Sequence, residues 1–148
     1  MRLLADKISK LHIGWNERPL TEDDFVALCR RFGVTVDEQP LRVGGFYYRA
    51  VGRDFIAIDS RLHWPEKLGV LFHELGHFLL HAPRTGPVVG FHRVGRSTRK
   101  EREADAFALC ALVPRAWVES RSMNDLIDEG FTPDTIAARY EIYERYGI

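Results

Sequence analysis

The stretch LFHELGHFLLH, residues 71–81, sets two histidines and a glutamate inside a run that is otherwise almost wholly apolar. His73 and His77 are four residues apart, a spacing that on a helix projects both side chains from one face, one turn above the other. Burying two imidazoles and a carboxylate unpaired would cost roughly 1–3 kcal/mol for each unsatisfied neutral group, and more for the charge. Ligation of a metal ion removes that objection. Two neutral imidazoles can offer ring nitrogens to one ion at about 2.0–2.1 Å, with Glu74 beside the open coordination position. This is the HExxH pattern. Zinc held by such ligands keeps a position for water, lowers that water's pKa towards about 7 and polarises a carbonyl. Glu74 is then the expected general base, taking the water's proton and passing it to the leaving amine.

The flanking sequence places this motif on a central helix. Pro65 suits a first helical turn and Pro83 ends the segment near His81. Leu68, Val70, Leu71, Phe72, Leu75 and Phe78 surround the axis rather than lining one stripe, which marks a buried helix. Upstream, TEDDFVALCRRFG has Thr21 and Asp24 in a capping-box arrangement, Phe25, Leu28, Cys29 and Phe32 on one face, and Gly33 at the close. VTVDEQ, GFYYRAV and DFIAID follow, rich in β-branched and aromatic residues, with Gly52-Arg53 as the expected hairpin turn between the last two. These three predict a small antiparallel sheet, with the edge of DFIAID holding an extended peptide beside the metal by strand addition.

Residues 82–97 contain Pro83, Gly86, Pro87, Gly90 and Gly95 and are long for a structureless connection, so a functional or mobile segment that sets specificity is expected there. A helix over about 98–113 is stopped by Pro114, and its Ala104, Ala106, Ala108 and Ala111 allow a neighbouring helix close. RAWVESRSMNDLIDEG reads as short helical pieces, and TPDTIAARYEIYERYG as a last helix with a Thr cap and Pro at its first position. Strands early and helices late give an α+β fold, the sheet packed against the HExxH helix.

Tetrahedral zinc needs a further protein ligand, and STRKEREADAFALCALVP supplies Glu101, Glu103 and Asp105. Glu101 and Asp105 share a helical face, so Glu101 could bind the metal while Asp105 orients one of the histidines. A second reading of Glu101 stays open: with Thr98 as N-cap it occupies the capping-box position and holds the helix start. Glu103 points to another side and reads as solvated or paired with an arginine. His81, one turn beyond His77, reads as a capping or outer partner of the site, and His12 and His63 have no evident partners. His92 is a candidate substrate contact. Arg84, Arg93, Arg96, Arg99 and Lys100 follow one another without an intervening acid, which could favour acidic substrate segments or nucleic acid, although a solvated loop is the plainer reading.

Composition bounds the rest. The length of 148 residues suits one domain, 1–148. Lysine plus arginine and aspartate plus glutamate both number 21, which removes any whole-molecule argument for nucleic acid or an anionic membrane. Arg2, Asp6, Lys7 and Lys10 interrupt any signal-peptide core, and no apolar run reaches spanning length, so a soluble cytoplasmic protein is expected. Cys29 and Cys110 fall in helix-like apolar patterns and read as buried, reduced thiols.

With HELGHFLLH followed by EREADAFALCALVP, the chain resembles the ImmA/IrrE family of metallo-endopeptidases. The resemblance extends over RRFGV, FIAID, the HELGH helix and the acidic helix running into LVP. It implies a minimal zincin-like fold related to thermolysin-like enzymes, one zinc ion per chain, His73, His77 and Glu101 as ligands, and Glu74 as base. It also implies a protein substrate, a helix-turn-helix transcriptional repressor. Family members often continue past the IAARYEI region, whereas this chain stops at Ile148, so regulation is expected to come from a partner. The expected function is a zinc-dependent endopeptidase. The alternative is a non-catalytic module of the same fold, regulatory or of toxin–antitoxin type, against which the intact Glu74 argues.

Overall fold

The computed structural model describes residues 1–88 and 98–148. Helices α1 (Arg2–Ser9) and α2 (Glu22–Phe32) lead into strands β1 (Val34–Gln39), β2 (Gly45–Ala50) and β3 (Arg53–Asp59). Then come α3 (Glu66–His81), α4 (Arg99–Leu112), α5 (Arg115–Ser120), α6 (Met123–Asp128) and α7 (Pro133–Tyr146). The α+β class stands. Helix α1 was not anticipated; it has no side-chain cap, and its inward anchors are Leu4 and Ile8, four residues apart.

The sheet is mixed, not antiparallel. Its order is β1-β3-β2, with β1 parallel and β2 antiparallel to β3. The expected hairpin of β2 and β3 is present, but β1 lies on the far side of β3, so the link of residues 40–44 must cross the end of β3. Asp59 fastens that crossing: its Oδ1 accepts from Leu41 N at 3.1 Å and Arg61 Nε at 3.0 Å, and its own N–H donates to Gly44 O at 2.8 Å. DFIAID is therefore the central strand, paired on both sides, and cannot offer an edge to a peptide. Ile56, Ala57 and Ile58 are wholly buried, as a continuous apolar run in a central strand should be. The hairpin turn sits one residue earlier than expected, on Val51 and Gly52 at φ 51° and 69°. Two left-handed residues define the turn whose twist matches paired strands.

Helix α2 has the capping box expected of it: Thr21 Oγ1 accepts from Asp24 N at 3.3 Å, and Asp24 Oδ2 accepts from Thr21 N at 2.8 Å. Gly33, in the left-handed region at φ 71°, closes it. Helix α3 lies between the sheet and α4, burying Leu68, Leu71, Phe72, Leu75, Gly76 and His77. Phe72 meets Phe25 of α2 on one side and Phe107 of α4 on the other, ring centroids 5.6 and 6.3 Å apart. Small residues bring α3 and α4 together. A Cβ added at Gly76 would stand 3.0 Å from Phe107 Cδ1 and 3.3 Å from the Ala104 backbone. Cys29 and Cys110 are free and buried, and burial pushes both thiols up to about 11. Among the described residues, no helix is long and apolar enough to cross a membrane.

Candidate metal centre and groove

The close contact at Gly76 lets acids from the first half of α4 reach the polar face of α3. His73 Nε2 and His77 Nε2 are 3.0 Å apart; Glu101 Oε2 is 3.3 Å from the first and Glu101 Oε1 is 3.4 Å from the second. An ion held tetrahedrally at about 2.0–2.1 Å from each donor would separate those donors by about 3.3 Å. The donor set fits. Among the described residues, His73, His77 and Glu101 form the group that could hold a metal ion. Thr98 caps α4 by accepting from Glu101 N at 3.2 Å, so Glu101 serves the cap through its backbone while its carboxylate faces the imidazoles.

Partners outside this trio orient the rings. His73 Nδ1 lies 2.8 Å from Asp105 Oδ1. His77 Nδ1 lies 3.2 Å from His81 Nδ1, and His81 Nε2 lies 3.0 Å from Glu103 Oε2, whose other oxygen accepts from Arg99 Nε at 2.8 Å. If the ligand atom of His77 is Nε2, its Nδ1 carries the proton and donates to His81, and His81 in turn donates from Nε2 to Glu103. Glu103 is thus tied to Arg99 and His81, away from the trio. Burial opposes protonation of His73, but the Asp105 hydrogen bond and the charges of Glu74, Asp105 and Glu101 outweigh it and raise its pKa. His81 goes the other way: burial lowers it more than Glu103 raises it.

Glu74 is buried beside the cluster, and its Oε2 accepts from the backbone N–H of Tyr47 on β2 at 2.8 Å. That bond fastens the carboxylate to the sheet. Nothing in the sequence marked Tyr47 for this, because its contribution is a main-chain group. The outer edge of β2 is also engaged at Arg49, whose N–H donates to Val88 O at 3.0 Å.

A groove of about 1010 Å³ opens over the cluster, lined by His73, Glu74, Glu101 and Asp105 and also by Trp64, Leu112, Phe131 and Asp134. His63 lines it, whereas the proposed substrate contact His92, with Arg93 and Arg96, lies outside the described residues. Sequence reasoning missed Trp64, Phe131 and Asp134. The groove joins α3 and α4 to the turn before α7, and no local pattern announces that juxtaposition.

An α+β domain that sets an HExxH helix against an acidic helix, two imidazoles facing one carboxylate, defines the class. The chain belongs to the peptidase M78 family, whose IrrE N-terminal-like domain matches residues 23–144. The resemblance to ImmA/IrrE proteins read from HELGH and EREADAFA is thereby borne out. A curated relative, uncharacterized immunity region protein 2 of Bacillus phage phi105, is 36% identical over 93 residues, 63% of this chain. The aligned part spans 56% of that relative's length. No solved structure gives a significant match.

Proposed function

We propose that the chain is a cytoplasmic, single-domain, zinc-dependent endopeptidase of minimal zincin-like fold, with His73, His77 and Glu101 as ligands and Glu74 as general base. The observation that carries this reading is the convergence of two imidazole nitrogens and the two oxygens of one carboxylate, 3.0–3.4 Å apart, beside a buried glutamate that lines a groove. Membership of a peptidase family supports it. When bound, zinc supplies a Lewis acid for the scissile carbonyl and lowers the pKa of water to about 7.

The chain's own residues do the rest. Asp105 and the His81–Glu103 pair hold the two ligand rings in one tautomer and one orientation. Glu74, held by Tyr47 N–H, takes a proton from the attacking water and returns it to the departing amine. The groove offers an apolar wall against which a peptide lies beside the centre. The substrate we assign is a helix-turn-helix transcriptional repressor, a reading supported by the family resemblance and by a relative whose name places it in a phage immunity region.

The test is to incubate the metal-loaded chain with a helix-turn-helix repressor encoded beside its gene and look for fragments that chelation abolishes. Glu74→Gln should keep its metal, since Glu74 is not among the three converging donors, and lose about 10²–10⁴-fold in hydrolysis. Full activity in that variant would mean that another group activates the water.

A further inference from the structure

The groove's lining beyond the histidine cluster has a chemistry of its own. Trp64 leaves 57% of its surface exposed although its ring lies 6.2 Å from that of Phe131. The turn at Gly130, at φ 104°, presses on the indole so closely that a Cβ there would stand 3.1 Å from Cζ3. Leu109 and Leu112 of α4 continue this wall. An exposed indole, rigidly backed and set in a concave surface, gains by covering itself with another apolar group.

Charge is the second observation. Glu66, Glu74, Glu101, Asp105 and Asp134 line the groove, and no lysine or arginine does among its described residues. A divalent ion at the histidine cluster would bring two positive charges against these five carboxylates, leaving an excess of three negative charges. Glu66 and Asp134 have no ion-pair or hydrogen-bond partner among the described residues. Each lies in the first turn of a helix, α3 or α7, where an acid is favoured. Capping does not occupy Asp134, because Thr132 accepts from Thr135 N at 3.2 Å.

Resting on the peptidase reading above, we infer that the groove selects a polypeptide segment in which a large apolar side chain, seated against Trp64 and Phe131, stands near a lysine or arginine facing Glu66 and Asp134. Both halves of the recognition are properties of this chain's own side chains, and both can be tested without knowing the natural substrate.

The probes are two blocked decapeptides with the same central phenylalanine, one flanked by two lysines and one by two glutamates. Zinc-loaded Glu74→Gln is used for binding and the zinc-loaded parent chain for cleavage. The lysine peptide should bind about tenfold more tightly than the glutamate peptide, a preference that added salt erodes. Glu66→Gln combined with Asp134→Asn should abolish that preference, and Trp64→Ala should weaken both peptides while leaving the charge preference. Equal binding of the two peptides, or a preference that survives Glu66→Gln with Asp134→Asn, overturns the inference. Charge-selective binding with no cleavage by the zinc-loaded parent sinks the peptidase reading instead and leaves the groove's selectivity standing.

Discussion

At the residue scale the sharpest question is which acid of α4 serves the histidine pair. Glu101 faces both Nε2 atoms at 3.3 and 3.4 Å, while Glu103 is held by Arg99 and His81. Glu101→Ala should therefore shed metal, as His73→Ala and His77→Ala should. Glu103→Ala keeps all three converging donors and loses only the outer partner of His81, so its metal affinity should fall by no more than about 10–100-fold, the range for outer hydrogen-bond partners. Equilibrium dialysis of the variants against zinc reads this directly. If Glu101→Ala retains full metal while Glu103→Ala loses it, the proposed ligand set is wrong. The histidine spacing was legible in the sequence because helical geometry turns four residues into one shared face. The choice of Glu101 rested on the face it shares with Asp105 and on the family resemblance; that it also caps α4 through its N–H while its carboxylate faces the imidazoles shows only once α4 is in place.

At the scale of elements, the site depends on how closely α3 and α4 approach. Gly76→Ala gains helix propensity, about 1 kcal/mol, but meets Phe107 and the Ala104 backbone, both buried, at 3.0 and 3.3 Å. Overpacking of this kind costs about 1–3 kcal/mol, so the helices should move apart and carry Glu101 with them. Gly69→Ala is the control, because its Cβ would meet only Leu112 Cδ1 at an ordinary 3.6 Å. Gly69→Ala should stabilise the fold with metal affinity unchanged, whereas Gly76→Ala should lose affinity without a gain in stability. Identical thermal and metal titrations for the two would show that the Gly76 contact does not set the site.

The cap of α2 gives an element-scale prediction with a pH signature. The bidentate pair with Arg18, at 2.7 Å to each oxygen, holds the Asp24 carboxyl well below the usual range, and the Thr21 N–H adds to this. A depressed folded pKa stabilises the protein above the unfolded pKa, about 3.9, and that contribution disappears as pH falls towards the folded value. Asp24→Asn should cost about 1 kcal/mol at neutral pH, mostly from the cap, since Arg18 is 52% exposed and the ion pair is screened. The gap between the two proteins in urea unfolding should begin to narrow below about pH 4. A gap that is constant from pH 7 to pH 3 would mean that Asp24 does not act as a charged cap. Thr21 and Asp24 were readable because capping is local in sequence. The direction of β1 was not, because alternation reports which face a residue takes and says nothing of parallel or antiparallel pairing. The unbroken FIAI run did hold the sign of a central strand, and reading DFIAID as an edge passed over it.

At the scale of the whole molecule, long-range polar ties hold what the apolar pattern cannot register. Arg139 of α7 is fully buried, and it donates to Val113 O at 2.7 Å, Ile148 O at 2.8 Å and Asn16 Oδ1 at 2.9 Å. One guanidinium thereby links the turn before α2, the end of α4 and the chain beyond α7. IAARYEI reads as an ordinary amphipathic segment, so nothing nearby distinguishes this arginine from the exposed ones. Burial pushes its pKa below the ordinary range, and among the described residues no Asp or Glu side chain is bonded to it, so these three acceptors must offset the cost of enclosing the charge. Arg139→Met removes charge and donors together and leaves Val113 O without this partner, a loss of about 1–3 kcal/mol. Arg139→Lys keeps the buried charge but cannot fork to three acceptors, so it should be the more damaging variant despite looking conservative. For a chain of this length each kcal/mol moves the unfolding midpoint by roughly 2–4 °C. Thermal denaturation should therefore rank the parent above Arg139→Met and Arg139→Met above Arg139→Lys. A lysine variant as stable as the parent would mean that the charge alone, rather than the three-way fork, holds these segments together.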